Sequence, residues 1–345
     1  MRSVLIAVAI FLPLTLGAVV AHADDDPPPA RHAHHEQGSA PIGVMGAHAH
    51  AQNQWMISYR YMFMRMDGNM MGSDSVTPEQ VRAEGYPAVP TDMNMHMHMF
   101  GAMFAPLDNL TIALMMPVTH MSMNHLGGMP LGAMEFETRS AGVGDMSLVP
   151  LIQLFSNQQH QLLLGAGLLI PSGSTHVRGD TPAGDQLRLP YPMRTGGGSL
   201  AALPSLTYTG SADIVSWGAQ FSARLPLHDN VDSYRLGFEY GGTLWGGLQA
   251  LPWLQVTVRS SLHRRENIVG ADPDLNPMMV PTSDPTKQAF TRLEVFGGVA
   301  FSAPGTILED HRLAIEAGLP AFQSVDGPQL GEAFRIVAGW QWSPE

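Results

Sequence analysis

The sequence predicts an all-β fold, an antiparallel transmembrane β-barrel of about 12 strands after a cleaved signal peptide and a short disordered N-terminal tail. Three observations predict it. Segments of about ten residues alternate between apolar and polar side chains, which is the period of a half-buried strand. Turn residues separate the segments, and short connections alternate with long ones. An even number of strands with short turns at one end and long loops at the other is typical of outer-membrane barrels.

The alternation is clear in LQVTVR (254–259), where Leu254, Val256 and Val258 share one face of the strand. Twelve segments of this kind lie near 55–66, 93–104, 110–119, 143–155, 160–170, 199–208, 214–225, 233–246, 253–263, 290–301, 311–319 and 331–342. A soluble β-sandwich shows the same period. The outer faces here are continuously apolar and end in aromatic residues, which favours a barrel closed within hydrocarbon. The aromatic residues at strand ends are Trp55, Trp245, Trp253, Trp340 and Trp342.

The N-terminus predicts export. Arg2 precedes an apolar run from Val4 to Val20, and Ala21-His22-Ala23 forms a small-x-small cleavage site, so residues 1–23 are predicted to be a signal peptide cleaved after Ala23. Residues 24–54 are rich in Pro, Ala, His and acids and are predicted to be a flexible periplasmic tail. Residues 55–345 then form the barrel, which places the chain in the outer membrane of a Gram-negative bacterium.

Composition and motifs exclude several classes of function. Only 14% of residues are charged and the formal net charge is −12, so a basic track for nucleic acid is absent. No GxSxG motif, phosphate loop or dinucleotide fingerprint occurs, and we expect no enzyme activity. Asp272 and Asp274 begin like a calcium loop, but Pro277 stands where that turn needs Gly.

Four stretches resemble a known family: GVMGAHAH (43–50), WMISYRYMFM (55–64), MHMFGAMFAPLDNLTIALMMP (97–117) and GVGDMSLVPLIQLF (142–155). They are similar to the outer-membrane β-barrel transporters assigned to the MetA pathway of phenol degradation. The resemblance runs from Gly43 to the last aromatic strand. It implies a barrel that passes small organic compounds, and its motifs are more specific for the fold than for the substrate.

Methionine and histidine concentrate at one end of the predicted barrel. The stretch TDMNMHMHMFGAMF (91–104) holds five methionines and two histidines. With both termini in the periplasm, this stretch begins at the extracellular rim. Alternation predicts that Met62, Met64 and Met66 face the lumen. It likewise predicts that His96 and His98 face inward while Met93 to Met99 face lipid, with a bulge at Gly101.

Two interpretations of this concentration stay open. Thioether sulfur suits Cu(I) and Ag(I), and imidazole accepts Cu(II) and Zn. The predicted ligands are Met62, Met64, Met66, His96 and His98 in the lumen, with His120, Met121, Met123 and His125 in the loop above. A secondary metal site is predicted in the tail at His32, His34, His35, His48 and His50. No cofactor is required by this hypothesis, and the candidate ions are Cu(I), Cu(II) and Ag(I). Alternatively, methionine is adaptable lining for apolar or aromatic solutes. A structural or binding barrel that does not transport a solute is a third interpretation.

The other strands direct charged residues into the lumen, as is normal for a barrel interior. The predicted lumen-lining residues are Arg60, Asp145, Arg235, Glu239, Arg259, Arg292, Glu294, Arg312, Glu316 and Arg335. The expected partners are outer-membrane lipid, the barrel assembly machinery and a small solute or metal ion, without nucleic acid.

Overall fold

The computed structural model describes residues 40–128 and 134–344, which belong to one compact unit, His35–Glu345. The strands are β1 (Trp55–Gly72), β2 (Asp74–Val76), β3 (Ala88–Leu107), β4 (Leu110–Gly127), β5 (Glu135–Val143), β6 (Met146–Ser156), β7 (His160–Ile170), β8 (Arg178–Thr181), β9 (Gly184–Arg188), β10 (Ala201–Ala212), β11 (Val215–Pro226), β12 (Tyr234–Arg235), β13 (Glu239–Leu251), β14 (Leu254–Arg265), β15 (Val269–Gly270), β16 (Phe290–Ser302) and β17 (His311–Trp342). The helices are α1 (Pro78–Ala83) and three 3₁₀ turns at Tyr191–Met193, Pro281–Ser283 and Pro285–Lys287.

Eleven of these strands form a closed antiparallel circuit. Its order is β1, β3, β4, β6, β7, β10, β11, β13, β14, β16 and β17, and β17 pairs back with β1. β2 and β5 extend this sheet beside β1 and β4, while β8–β9 and β12–β15 form two small separate hairpins. Closure leaves no sheet edge exposed to lipid, as a membrane barrel requires.

The last strand supplies two walls of the barrel. β17 has 32 residues, and a straight strand of that length would extend about 105 Å. Its first part pairs with β16 up to Val325, and its last part pairs with β1 from Val325 to Trp342. The side chains of Arg312 and Gln341 lie 2.8 Å apart, so the two parts run side by side. The circuit therefore contains twelve membrane-crossing segments, and each coincides with one predicted from the sequence.

The outer surface of the barrel is apolar and bounded by aromatic residues. Large exposed apolar side chains on this face are Ile57, Phe100, Phe104, Leu114, Leu148, Leu168, Leu206, Phe221, Leu244, Val258, Val295, Leu313 and Ile315. Such a continuous patch marks contact with a membrane. At the end with short turns, Trp55 packs edge-on against Trp342 with ring centroids 5.0 Å apart. Trp245 is an exception to the predicted girdle, because it is buried inside the barrel at 5% exposure.

Connection lengths alternate as the sequence predicts. The turns β3–β4, β6–β7, β10–β11 and β13–β14 are short and lie at one end, which is the periplasmic end in barrels of this kind. The extracellular connections are longer, and part of the predicted loop 120–142 is strand, since β4 continues to Gly127 and pairs with β5. The described part of the chain contains no helix with the length and apolarity needed to cross a bilayer.

Residues 40–50, here called the lumenal segment, lie inside the barrel. Ile42 packs against Ala300, Ala314 and Val337, and Val44 packs against Trp245. The prediction of a flexible tail is therefore wrong from residue 40 onward. Gly43 is needed at this crossing, because a Cβ there would overlap the Glu316 carboxylate and lie 2.6 Å from Arg259 Nη2. The predicted signal peptide and His32, His34 and His35 lie outside the described residues.

Candidate functional site

The first feature of the interior is an apolar methionine surface built by three neighbouring strands. Residues that face each other across a ladder share one side of the sheet. Met62 stands opposite Met97, Met64 opposite Met95, and Met66 opposite Met93. β4 continues two of these rows, because Met95 stands opposite Met121 and Met93 opposite Met123. Met62 and Met97 both line the lumenal cavity, so the whole methionine surface faces inward.

The facing predicted for β3 is therefore wrong. Its methionines point into the lumen, while His96 and His98 lie on the outer face. The β1–β3 register is continuous from Trp55 to Asp67, so the predicted bulge at Gly101 does not form. The Nδ1 atoms of His96 and His98 lie 2.7 Å from the hydroxyls of Tyr61 and Tyr59, respectively. These polar aromatic pairs lie on the outer face, above the Trp55–Trp342 pair, and each imidazole has a hydroxyl partner there.

Toward the extracellular end the methionines become a closed cluster. Met93, Met121, Met123 and Met193 are at most 2% exposed and pack with Leu189 and Leu330. Met66 and Met95 pack against the same group. We call the six methionines of this group the methionine cluster: Met66, Met93, Met95, Met121, Met123 and Met193. The sequence missed Met193, because it arrives from the long loop 171–200.

The four predicted imidazole ligands of the mouth do not join the methionine cluster. His120 is exposed on the outer face, with its ring centroid 6.2 Å from that of His96. His125 points inward and is only 3% exposed, and it stacks on Phe136 of β5 at 4.8 Å. Both residues lie on β4 rather than in a loop. The predicted ligand set thus separates into a lumenal thioether group and histidines elsewhere.

Below the methionine cluster lies a cavity of about 510 Å³, here called the chamber. Its volume falls within the range typical of small-molecule sites. One wall is apolar and carries Met62, Met97, Met99, Met115, Val149 and Leu151. The other carries Asp145, Arg224, Glu239, Arg259, His263 and Arg335, and Arg60 also borders the space. The lumenal segment completes the lining with Ile42 to Gly46.

Most of the lumenal charges are paired. Glu316 accepts from Arg259, and Glu332 accepts from Arg292 and Arg335. Arg335 Nη2 also lies 3.2 Å from Glu294, and Arg224 pairs with Glu239 at 2.5 Å. The predicted lumen-lining residues fit this interior with one correction. Arg235 belongs to the extracellular strand β12 and pairs with Asp229. The barrel strand β13 begins only at Glu239, four residues after Arg235.

The extracellular mouth is covered by loops that a buried ion-pair network joins. The network connects residues 171–200, 227–238 and 266–289, which we call the cover. Asp272 is fully buried and accepts from Arg188 Nη1 at 2.9 Å and Arg194 Nη2 at 2.7 Å. Arg188 also bonds Asp232 at 3.1 Å. Asp272, which begins the rejected calcium-loop pattern, thus has guanidinium groups as its partners.

Asp145 fastens the cover to the barrel wall. Its carboxylate accepts hydrogen bonds from the backbone N–H groups of Gly173 and Gly197 at 2.9 and 2.8 Å.

In the cover, burial raises the pKa of Tyr234, whose hydroxyl accepts from Arg194 Nη1 at 2.8 Å. This tyrosine is therefore a neutral partner of Arg194 at physiological pH.

The two histidines of the lumenal segment are neutral. Burial lowers the pKa of His50 to about 4, and burial lowers the pKa of His48 well below its usual range. Their rings meet edge-on at 5.2 Å. His50 donates its backbone N–H to Thr111 Oγ1 at 2.9 Å, which holds the segment near the periplasmic turn.

A serine–histidine pair also lines the chamber. Ser261 Oγ lies 2.7 Å from His263 Nε2 and 2.9 Å from Thr243 Oγ1. Acyl transfer needs donors that stabilise an oxyanion. Ser261 stands in ladder register with Thr243 on one side and Glu294 on the other, so the strand uses its backbone groups for pairing. The Ser261–His263 pair therefore forms a part-buried hydrogen bond on the wall of the chamber.

Solved structures identify the fold. The crystal structure of the COG4313 outer membrane channel from Pseudomonas putida F1 matches with a TM-score of 0.61 at 14% identity, covering 88% of this chain and 100% of that chain. The transport unit of the autotransporter AIDA-I from Escherichia coli matches with a TM-score of 0.50 at 8% identity, covering 88% and 94%. No protein-family model matches the sequence, and no curated protein does.

The fold and its apolar exterior define the class of protein. The chain is an outer-membrane β-barrel, located in the outer membrane of a Gram-negative bacterium, and its fold is that of outer-membrane channels. Its resemblance to the MetA-pathway transporters stays a prediction.

Proposed function

We propose that this barrel carries small apolar or amphipathic organic molecules across the outer membrane, and that it is not an enzyme. The observation that supports this most is the apolar wall of the chamber. Met62, Met97, Met99 and Met115 come from three adjacent strands and present flexible thioethers to one space. Methionine adapts to ligands of different shape. A pore for hydrophilic solutes has a polar interior instead.

The chamber also favours transport over a purely structural barrel. A structural barrel of this size has no need for an interior space of about 510 Å³ bordered by unfilled apolar surface. The COG4313 protein is itself an outer membrane channel, which agrees with this proposal. Lipid surrounds the apolar exterior, a small solute is the proposed cargo, and the barrel assembly machinery is the expected insertion partner. No cofactor is part of the proposal.

Equilibrium dialysis with radiolabelled naphthalene tests the proposal. The barrel is held in amphipol, and empty amphipol serves as the blank. We expect saturable binding by the wild type and about tenfold weaker binding by Met97→Gln, since the amide loses its water on meeting an apolar ligand. Met278→Gln is the matched control, because Met278 is an exposed cover residue. Absence of saturable binding to the wild type contradicts the proposal.

A soft metal ion is a second candidate cargo, and the thioether rows at the extracellular end of β1, β3 and β4 are the observation that favours it. Two rows of three thioethers, 64–95–121 and 66–93–123, stand in register on adjacent strands. Thioether sulfur without imidazole or carboxylate selects Cu(I) or Ag(I) over harder ions. Because His96, His98 and His120 lie on the outer face, we propose Met64, Met66, Met93, Met95, Met121 and Met123 as the ligand field.

Competition with a chromophoric Cu(I) chelator tests the metal candidate. The triple variant Met66→Leu, Met93→Leu, Met123→Leu keeps apolar volume and removes sulfur. We expect it to lose Cu(I) binding that the wild type and Met278→Leu both retain. Equal Cu(I) affinity of the triple variant and the wild type refutes ligation by these three residues.

A further inference from the structure

One arginine of the chamber has no partner among the described residues. Four guanidinium groups line this space, those of Arg60, Arg224, Arg259 and Arg335. Arg224, Arg259 and Arg335 each form an ion pair with a glutamate. Within residues 40–128 and 134–344, Arg60 forms neither an ion pair nor a hydrogen bond, and its Nε is buried without any acceptor.

The surroundings of Arg60 do not offer it a carboxylate of its own. Glu316 acts electrostatically on Arg60, but its two oxygens are already engaged by Arg259 Nε and Nη2. Arg312 and His48 also lie close enough to interact electrostatically with Arg60. Arg312 adds positive charge and His48 is neutral, so the field around Arg60 favours an additional anion.

Apolar groups stand immediately beside this charge. Arg60 is opposite Met99 across the β1–β3 ladder, and Met62 follows it two residues along the same face. Gly339 lies opposite Arg60 on its other side, and Ile42 of the lumenal segment packs over this glycine and adds apolar surface beside the charge. A guanidinium at the edge of a methionine wall complements a molecule with one anionic end and an apolar body.

We propose that the chamber binds organic carboxylates with an apolar chain or ring, and that Arg60 holds the carboxylate. The apolar body then lies along Met62, Met97 and Met99. This inference rests on the proposed function and specifies its substrate class. A planar guanidinium can donate two parallel hydrogen bonds to a carboxylate, and the unsatisfied state of Arg60 explains why an anion would be favoured over a neutral solute.

Isothermal titration of the amphipol-held barrel with octanoate and with octanol tests the inference. The two ligands share a chain and differ in the charged head. We expect the wild type to bind octanoate about tenfold to hundredfold more tightly than octanol, as a charge-assisted hydrogen bond implies. This comparison requires no variant, so it holds even where a substitution impairs folding.

Variants then assign the preference to Arg60. Arg60→Gln should bring octanoate affinity down to that of octanol, while Arg60→Lys should keep part of the preference. Arg235→Gln is the matched control, because Arg235 is an extracellular arginine remote from the chamber. Equal binding of octanoate and octanol by the wild type overturns the inference and leaves the proposed function intact. Binding of neither ligand overturns both.

Discussion

Tyr61 Oη lies 2.7 Å from His96 Nδ1 on the outer face of the barrel. This diagonal pair, with its neighbour Tyr59–His98, explains how two imidazoles remain hydrogen-bonded at the lipid boundary. From Trp55 to Tyr61 the strand rises about 20 Å, or about 15 Å across a membrane at the usual tilt. The Tyr61–His96 pair therefore stands in the outer half of the apolar band, above the Trp55–Trp342 girdle.

The Tyr61–His96 bond should contribute measurably to stability. Tyr61→Phe removes the hydroxyl and leaves His96 Nδ1 without its partner, which should lower the free energy of unfolding by about 1 kcal/mol. Urea unfolding of the barrel from lipid vesicles measures this. Tyr240→Phe is the control, since Tyr240 makes no hydrogen bond within the described residues. Loss of Cu(I) binding in a His96→Leu variant would contradict the assignment of His96 to the outer face.

Acidification should release the lumenal segment. Burial lowers the folded-state pKa of His50 to about 4, whereas a released, solvated His50 titrates near 6.5. The released state therefore gains its proton first as the pH falls, so docking is most stable above pH 6.5 and weakens progressively down to pH 4. The loss approaches about 3 kcal/mol at the lower limit. The low pKa of His48 acts in the same direction.

A single introduced cysteine can report this release, because the chain has none of its own. Met45→Cys lies in the segment and should react faster with a water-soluble maleimide at pH 5 than at pH 7, after correction for the reagent's own pH dependence. The same cysteine in a His48→Gln, His50→Gln background should lose the difference. Corrected rates that are identical at both pH values in the first protein would rule the prediction out.

Opening of the cover should follow loss of Asp272. Asp272→Asn removes the negative charge that Arg188 and Arg194 share, and both guanidinium groups stay buried. Removing one member of a buried ion-pair network typically lowers the free energy of unfolding by about 3–5 kcal/mol. Trypsin should then cleave the loop 171–198 faster than in the wild type. Asp274→Asn is the control, because the Asp274 side chain is 58% exposed and contacts Arg188 at 3.3 Å. Similar digestion rates for both variants would argue against the view that this network holds the cover loops together.

Displacement of the lumenal segment should raise conductance. Gly43→Val introduces side-chain atoms where a single Cβ already overlaps Glu316, so the segment can no longer cross beside Arg259. Planar-bilayer recordings should show a larger single-channel conductance than for the wild type. Gly297→Ala serves as the control, since a Cβ at Gly297 meets nothing within 4 Å. An unchanged conductance of the valine variant would show that the segment does not limit the pore.

The strand pattern could be predicted because it repeats a simple physical rule. Each membrane crossing needs an apolar exterior, so residues such as Val256 and Val258 mark β14 without knowledge of any neighbour. Closure follows from the absence of hydrogen-bond partners in lipid. The last hairpin was also predictable, because 311–319 and 331–342 alternate independently.

Facing in β3 could not be read from polarity alone. The alternation rule assigns polar residues to the lumen, and His96 and His98 are polar. Near the interface, however, amphipathic rings face outward, and methionine is apolar enough to serve either side. The signal that identifies the correct face is Phe100, which shares its parity with both histidines. Its outward position requires theirs, without any bulge.

The lumenal segment and the cover depend on distant contacts that one sequence does not display. GVMGAHAH has no strand period, and its place in the interior depends on contacts such as that of Val44 with Trp245 and on the absence of a side chain at Gly43. Arg188 and Asp272 are 84 residues apart in the chain. Likewise, the sequence predicts that Arg60 faces the lumen, but only the structure shows that it lacks a carboxylate partner within residues 40–128 and 134–344 while Arg224, Arg259 and Arg335 are paired.

Because Arg188 and Arg194 neutralise Asp272 from within the polypeptide, the cover carries its own counter-ions. Chelators that remove divalent ions from the cell envelope, and so loosen the surrounding lipopolysaccharide, should leave the cover in place. The mouth of the barrel would then stay covered under conditions that disrupt the leaflet around it.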